Sequence, residues 1–351
     1  FTEKLKSPRT INPRDQYWIC KFMNLIITLE GLIYQLPGMI KKVPFLERCK
    51  LLKENFEYEP VTVGDGVGFE RSINSEKILW ETVIIRHLLA PYHDKEHIDE
   101  FCDMLNTPVV LKYHKGHSFK GPAMRYSGEL TTAVMNALQT WLLWWSYFKL
   151  HPVEHKVPFF VEGDDNVALR VDHDTFTEHS RNMGFEMELV DKEHVGQAGF
   201  CQFYFDMEAL TPVANPWRHL AKFHLVDMKR SEMSRANIDK YFAVKAMGLA
   251  SLYPQSPVLY PFLYAVATKV PVSTKDWRRF NENDRVCVKP KLEQPNIALS
   301  SREVVDQQFG IDHLTQVRME IQLANLDFSM LGFEAKYCYQ LYHAAAHTIS
   351  G

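Results

Sequence analysis

No uninterrupted apolar run in this 351-residue chain approaches the ~18 residues of a membrane span, so nothing in it reads as a transmembrane helix. Cysteine is sparse. Cys20, Cys49, Cys102, Cys201, Cys287 and Cys338 are scattered with no close pair, which argues against a disulfide framework or a structural zinc site and fits a reducing compartment. An excess of one charge is missing too: 40 Lys and Arg stand against 43 Asp and Glu, a formal −3. That total excludes a uniformly basic nucleic-acid binder, although it can hide segregated charge. There is no internal repeat and no low-complexity tract, and 46% hydrophobic content excludes wholesale disorder. The chain opens at Phe1 on a basic stretch without a signal-peptide core, and reads as a segment of something longer. At roughly 100–200 residues per domain, its length predicts a few structural units or one large fold with subdomains.

Charge proves to be segregated. Residues 1–14 carry Lys4, Lys6, Arg9 and Arg14 against Glu3. From His151 to His194 eleven acidic residues face four basic ones, a net −7, whereas Trp217–Lys245 and Lys269–Lys291 each hold seven basic against three acidic. An acidic centre between basic flanks suits a site that binds metal ions while gripping a polyanion.

The apolar pattern predicts a helix over 17–41, broken at Pro37-Gly38, and helices over 76–90 and 96–105. A short strand over 60–64 runs into Asp65. The clearest helix spans 129–148, with Leu130, Ala133, Val134, Ala137, Leu138, Trp141, Leu142 and Trp145 as its buried stripe. Two β-rich runs, 157–162 and 167–171, flank Gly163-Asp164-Asp165-Asn166, a hairpin signal. A helix at about 174–183 and strands near 185–190 and 199–205 follow. Beyond 216 the pattern is helical apart from a Pro-rich break at 254–272.

Adjacent carboxylates at a hairpin tip repel, and a divalent cation with hard oxygen ligands, Mg²⁺ or Mn²⁺, relieves that repulsion. Asp164-Asp165 alone is also what an exposed turn looks like. Asp65 at a strand end, with Glu70 shortly after it, completes a ligand set for two ions ~3.5–4 Å apart in an in-line phosphoryl displacement. Between them Ser127-Gly128, Thr132 and Asn136 form S-G-x-x-x-T-x-x-x-N. Thr132 and Asn136 share a helix face, where small polar groups can read a ribose and the glycine lets a nucleic-acid backbone approach.

These residues resemble the palm motifs of viral RNA-directed RNA polymerases, most closely the tombusvirus-like group. Asp65 with Phe69-Glu70 is similar to D-x-x-x-F-D, and Arg125-Tyr126-Ser127-Gly128-Glu129 through Asn136 to R-C-S-G-D-M-N-T-x-x-x-N. Gly163-Asp164-Asp165 matches the G-D-D hairpin and Phe200-Cys201-Gln202 the F-C-Q primer-grip strand. Pro8-Arg9-Thr10-Ile11-Asn12-Pro13-Arg14 resembles P-R-x-I-x-P-R, which lines the channel through which nucleotides arrive. The resemblance implies Asp65 and Asp164 as principal metal ligands with Asp165 assisting, and Glu70 and Asn136 sensing the 2′-hydroxyl. It implies Ser127, Gly128 and Thr132 holding template and incoming nucleotide, and Arg9, Arg14 and Lys4 binding the triphosphate. Three departures stand out: Glu70 replaces Asp, Tyr126 replaces Cys, and Glu188 lies near the place of a lysine general acid, for which Lys192 is the substitute candidate.

The fold class implied is α+β, a right-hand polymerase with an antiparallel palm sheet backed by helices. Partial fingers with the nucleotide-access motif occupy 1–54, palm 55–85, a fingers insertion 86–120, palm 121–209 and thumb 210–351. The expected function is template-directed RNA synthesis for viral genome replication, with RNA template and product, ribonucleoside triphosphates and Mg²⁺. Other viral replication proteins and host membranes, reached through sequence not present here, would be partners in a membrane-associated complex of the host cytoplasm. Two alternatives stand beside it. A reverse transcriptase is disfavoured by the glycine before Asp164-Asp165 and by Asn136; a catalytically impaired RNA-binding scaffold is motivated by Glu70 and the absent part of the fingers. His114/His117 and His151/His155 read as surface histidines rather than zinc ligands. The Trp141, Trp144, Trp145 cluster reads as core rather than a stacking platform, and Cys201 as a packed strand residue.

Overall fold

Asp15 caps the first helix, α1 (Gln16–Ile33), accepting a hydrogen bond from the Trp18 amide at 2.8 Å. Trp18, Phe22, Leu25, Ile26, Leu29 and Ile33 recur at helical spacing and all are buried, each such side chain contributing about 1.5–3 kcal/mol on transfer from water. The computed structural model describes residues 12–56, 58–112, 116, 118–226, 233–281 and 286–325. Lys4, Arg9, the rest of the Pro8–Ile11 motif, His114 and His117 lie outside them. The chain divides into two compact units, one of Phe1–Val43 with Glu54–Cys201, the other of Pro44–Lys53 with Gln202–Gly351.

The first unit is built on a four-stranded antiparallel sheet, β1 (Val61–Gly66), β4 (Phe159–Glu162), β5 (Asp165–Leu169) and β6 (Met187–Lys192), in the order β4-β5-β1-β6. Between β1 and β4 come α3 (Phe69–Ser72), α4 (Ser75–Leu89), α5 (Lys95–Leu105), the hairpin β2 (Val109–Lys112) and β3 (Ser118–Gly121), and α6 (Thr132–Leu150). Helix α7 (His173–Asn182) joins β5 to β6, its N-terminus capped by Asp172 on the Thr175 amide. One hydrophobic core unites α1, α4, α5, α6 and α7 with the sheet. Trp144 of α6 stacks on Phe176 of α7 at 4.1 Å, so the two helices are locked together against the sheet.

The second unit holds most of α2 (Phe45–Phe56), the hairpin β7 (Tyr204–Asp206) and β8 (Thr211–Val213) and the helices α8 (Pro216–Phe223), α9 (Arg235–Leu252), α10 (Leu259–Lys269), α11 (Thr274–Phe280), α12 (Leu299–Phe309) and α13 (His313–Ala324). Buried Asp206 accepts hydrogen bonds from the Ser300 and Ser301 hydroxyls at 2.7 and 2.6 Å, tying β7 to α12. Arg302 and Glu320 form a two-pronged pair at 2.9 and 3.0 Å between α12 and α13.

Several expectations need correction. The 129–148 helix starts at Thr132, because 129–131 are spent on the turn that leads into it. Its buried face includes Leu143, Trp144 and Tyr147, while Trp145 is 42% exposed and Trp141 half-buried; the tryptophan cluster is therefore only partly core. The Pro-rich stretch 254–272 contains α10, with Pro261 in its first turn, where no helical amide bond is lost. Phe200-Cys201-Gln202 is a 3₁₀ turn with Cys201 and Gln202 at φ 54° and 68°, not a strand.

Candidate active site

The acidic hairpin is tighter than its sequence implied. Glu162 pairs with Asp165, so only Gly163 and Asp164 form the turn and Asp165 opens β5. Gly163 has φ +70° with open space where a side chain would sit, so backbone conformation rather than crowding calls for glycine. On the neighbouring strand Gly64 pairs with Asn166. Continuing that register by one residue sets Asp65 across from Asp165, about 5 Å between backbones. On its other side Asp65 pairs with Glu188 of β6.

One end of the sheet therefore gathers Asp65, Glu162, Asp164, Asp165 and Glu188. Glu162 is 7% exposed and meets the Lys41 ammonium at 3.3 Å. Partial desolvation, then the charges of Asp164, Glu162 and Asp65, push the Asp165 carboxyl up to about 6, with Lys41 opposing. Because Asp165 keeps solvent access as a residue, the carboxylate repulsion is the part of this cause that a cation removes. Among the described residues no three or more His, Cys, Asp and Glu side chains are gathered tightly enough to hold an ion by protein ligands alone. Mg²⁺ rarely asks for such a cage: it keeps several waters and takes one or two carboxylates plus substrate phosphates. The all-oxygen, mutually repelling donor set fits it.

The loop before α6 is held differently. The Asn12 amide donates to the Ser127 carbonyl at 2.8 Å, and Thr132 Oγ1 donates to the Tyr126 carbonyl at 2.9 Å. The Arg125 guanidinium, 3% exposed, pairs with buried Glu81 and donates to Thr131 at 3.0 Å; Gln139 completes Glu81 at 3.0 Å. Glu129 meets Arg14 Nε at 2.7 Å. Burial pushes the Glu129 carboxyl up, against the pull of Arg14 and Arg125. Tyr126, where the resemblance has cysteine, is accommodated by packing in and donating to the Pro122 carbonyl at 3.0 Å.

Asn136 is buried, and its Oδ1 has no hydrogen-bond partner among the described residues. Glu70 begins the short α3, half-buried, anchored by the stacking of Phe69 on Phe185 at 5.1 Å. Lys192 is not with them. It pairs with Val61 at the opposite end of β1 from Asp65, four residues or ~13 Å along the strand. Nothing in the sequence marks Lys41 or Glu81, whose partners are distant in the chain; Glu129 and Asn166 enter there only as members of motifs and Trp144 only within the tryptophan cluster, without the contacts the structure gives them.

An antiparallel sheet whose hairpin tip presents paired aspartates, backed by helices, defines a polymerase palm, and the fold class is that of a right-hand nucleic-acid polymerase. The family of viral RNA dependent RNA polymerases matches residues 32–330, and the chain belongs to it. Its activity is RNA-directed RNA synthesis, a nucleotidyl transfer from ribonucleoside triphosphates on an RNA template, and members of the family generally use divalent metal ions. Comparison with curated proteins finds no match to this chain.

Proposed function

We propose that the sheet end around Asp65 and Asp164 is the catalytic centre and that it extends RNA by a two-ion in-line displacement in viral genome replication. The observation that carries this reading is the β1–β5 register, which sets Asp65 beside the Gly163-Asp164 turn. Asp65 and Asp164 would hold Mg²⁺, or Mn²⁺ in its place, with Asp165 assisting. Bound there, the ions would lower the pKa of the attacking 3′-hydroxyl and neutralise charge on the leaving pyrophosphate.

The chain's own groups orient the reactants. Asn136 Oδ1 is an unsatisfied acceptor, suited to a hydroxyl donor such as a ribose 2′-OH, with Glu70 as its companion. Ser127, Gly128 and Thr132 hold template and incoming nucleotide on a loop fixed from both sides. Arg14, joined by Arg9 and Lys4, binds the triphosphate, exchanging its contact with Glu129 for phosphate oxygens. Residues 1–54 and 86–120 serve as fingers, 55–85 and 121–209 as palm, and 210–351 as a helical thumb whose basic stretches grip RNA. We further propose action with other viral replication proteins at host cytoplasmic membranes, reached through partners; no described helix is long and apolar enough to cross a bilayer.

Primer extension on an RNA template with Mg²⁺ or Mn²⁺, comparing wild type with Asp164→Ala, tests the reading. Incorporation by wild type and its loss in the variant support it. Equal incorporation by both would remove the catalytic centre from this hairpin, and none by either with either metal would favour the scaffold.

A further inference from the structure

Asn166 is 1% exposed and follows the paired aspartates directly. Its side-chain amide makes two hydrogen bonds of opposite sense. Nδ2 donates to the main-chain carbonyl of Asp164 at 2.8 Å, and Oδ1 accepts from the indole Nε1 of Trp144 at 2.9 Å. Trp144, on α6, is fully buried and clamped on Phe176 at 4.1 Å, so the indole is a fixed anchor rather than an adaptable partner. Space for the amide comes from the adjacent strand: a Cβ on Gly64 would lie 2.5 Å from Asn166 Oδ1.

Asparagine is the residue that satisfies this position. It needs one donor and one acceptor about a planar group; aspartate has no donor, leucine has neither, and a flipped amide would set donor against donor and oxygen against oxygen. The hydrogen bond ends on the backbone of Asp164 itself, in the two-residue turn closed by the Glu162–Asp165 pair. The other end is on the helix that carries Asn136 two turns earlier, ~12 Å along the axis.

We infer that Asn166, braced by Trp144 and seated by Gly64, is a positioning residue: it fixes the Asp164 carboxylate relative to α6 and so tunes metal use at the hairpin. The inference rests on the reading of Asp164 as a metal ligand. A buried amide serving packing alone would affect stability; a brace on a ligand affects metal dependence.

The test is single-nucleotide incorporation on a primed RNA template as a function of free Mg²⁺, with wild type, Asn166→Ala, Trp144→Phe and Asp164→Ala, each full chain and each melted in parallel. Trp144→Phe keeps a six-membered ring in the core and deletes the pyrrole part of the indole with its N–H, so its melt is read beside its Mg²⁺ dependence; it carries the comparison should Asn166→Ala melt below the assay temperature. The expected result is a half-activating Mg²⁺ concentration raised ~10-fold or more in Asn166→Ala and in the same direction in Trp144→Phe, with KM for the nucleotide at saturating Mg²⁺ within about twofold of wild type and partial rescue by Mn²⁺. Losses that follow melting temperature alone, with no change in Mg²⁺ dependence, overturn it. If Asp164→Ala is as active as wild type, the ligand reading itself fails. If Asp164→Ala is inactive while the other variants keep wild-type Mg²⁺ dependence, only the brace is refuted.

Discussion

The two halves of the candidate site sit in one unit but are held by different forces. The carboxylates stand at strand ends and on the turn between them: Asp65, Asp164 and Asp165 are placed by ladder hydrogen bonds, a glycine turn and the Asn166 amide, and their side chains face repulsion and solvent. The 126–132 loop is placed by buried charge, Arg125 against Glu81 with Gln139 and Thr131 as satisfiers, and Arg14 against Glu129. A backbone ladder tolerates changes of its side chains; a buried ion pair does not tolerate loss of one partner. Chemistry and stability are therefore separable at the hairpin and joined at the loop.

The largest expected effect is at the hairpin. Asp164→Ala should lower nucleotide incorporation by ~10³-fold or more, the several kcal/mol a metal ligand supplies, while thermal melts stay within a few degrees of wild type. Arg125→Ala should do the reverse, costing ~3–5 kcal/mol in a denaturant titration because Glu81 is left buried and unpaired; replacing both partners with apolar residues of similar volume should restore most of it. A hairpin variant that unfolds, or an Arg125→Ala protein that melts normally, breaks the comparison.

Asn136→Ala sharpens it. Since Oδ1 is already unsatisfied, removal should cost under ~1 kcal/mol of stability, yet discrimination between ribo- and deoxyribonucleotides should fall ~10-fold in competitive incorporation. The smallest effect concerns pH. The Asp165 carboxyl rises from its ordinary 3.8 to about 6 on folding, so between those values the folded state binds more protons than the unfolded chain and stability falls as pH rises. In metal-free buffer, Asp165→Asn should melt above wild type beyond pH 6, match it below pH 4, and lose that advantage when Mg²⁺ is added. A flat difference across pH would contradict a raised Asp165 carboxyl.

What the sequence disclosed follows the same division. The hairpin and Asp65 were legible because turn chemistry, alternation and adjacent carboxylates are local signals, and α1, α4 and α5 were legible because their apolar periods are. The face that α6 buries was misjudged: Trp145 and Trp144 are neighbours of like hydrophobicity, and only packing against Phe176 and Asn166 decides which goes in. Lys192 was a candidate by distance along the chain, and strand register alone carries it away from Asp65. The Arg125–Glu81 pair joins residues 44 apart, a separation that no motif spans. The F-C-Q turn escaped because β-like residues there adopt positive φ.

Single-nucleotide incorporation against free Mg²⁺, wild type beside Asp164→Ala on the same primed RNA, bears most directly on whether this hairpin is the catalytic centre. Steep Mg²⁺ dependence is expected in wild type, with no incorporation in chelator and none above background in the variant. Incorporation that persists in chelator, or that Asp164→Ala leaves intact, would contradict it.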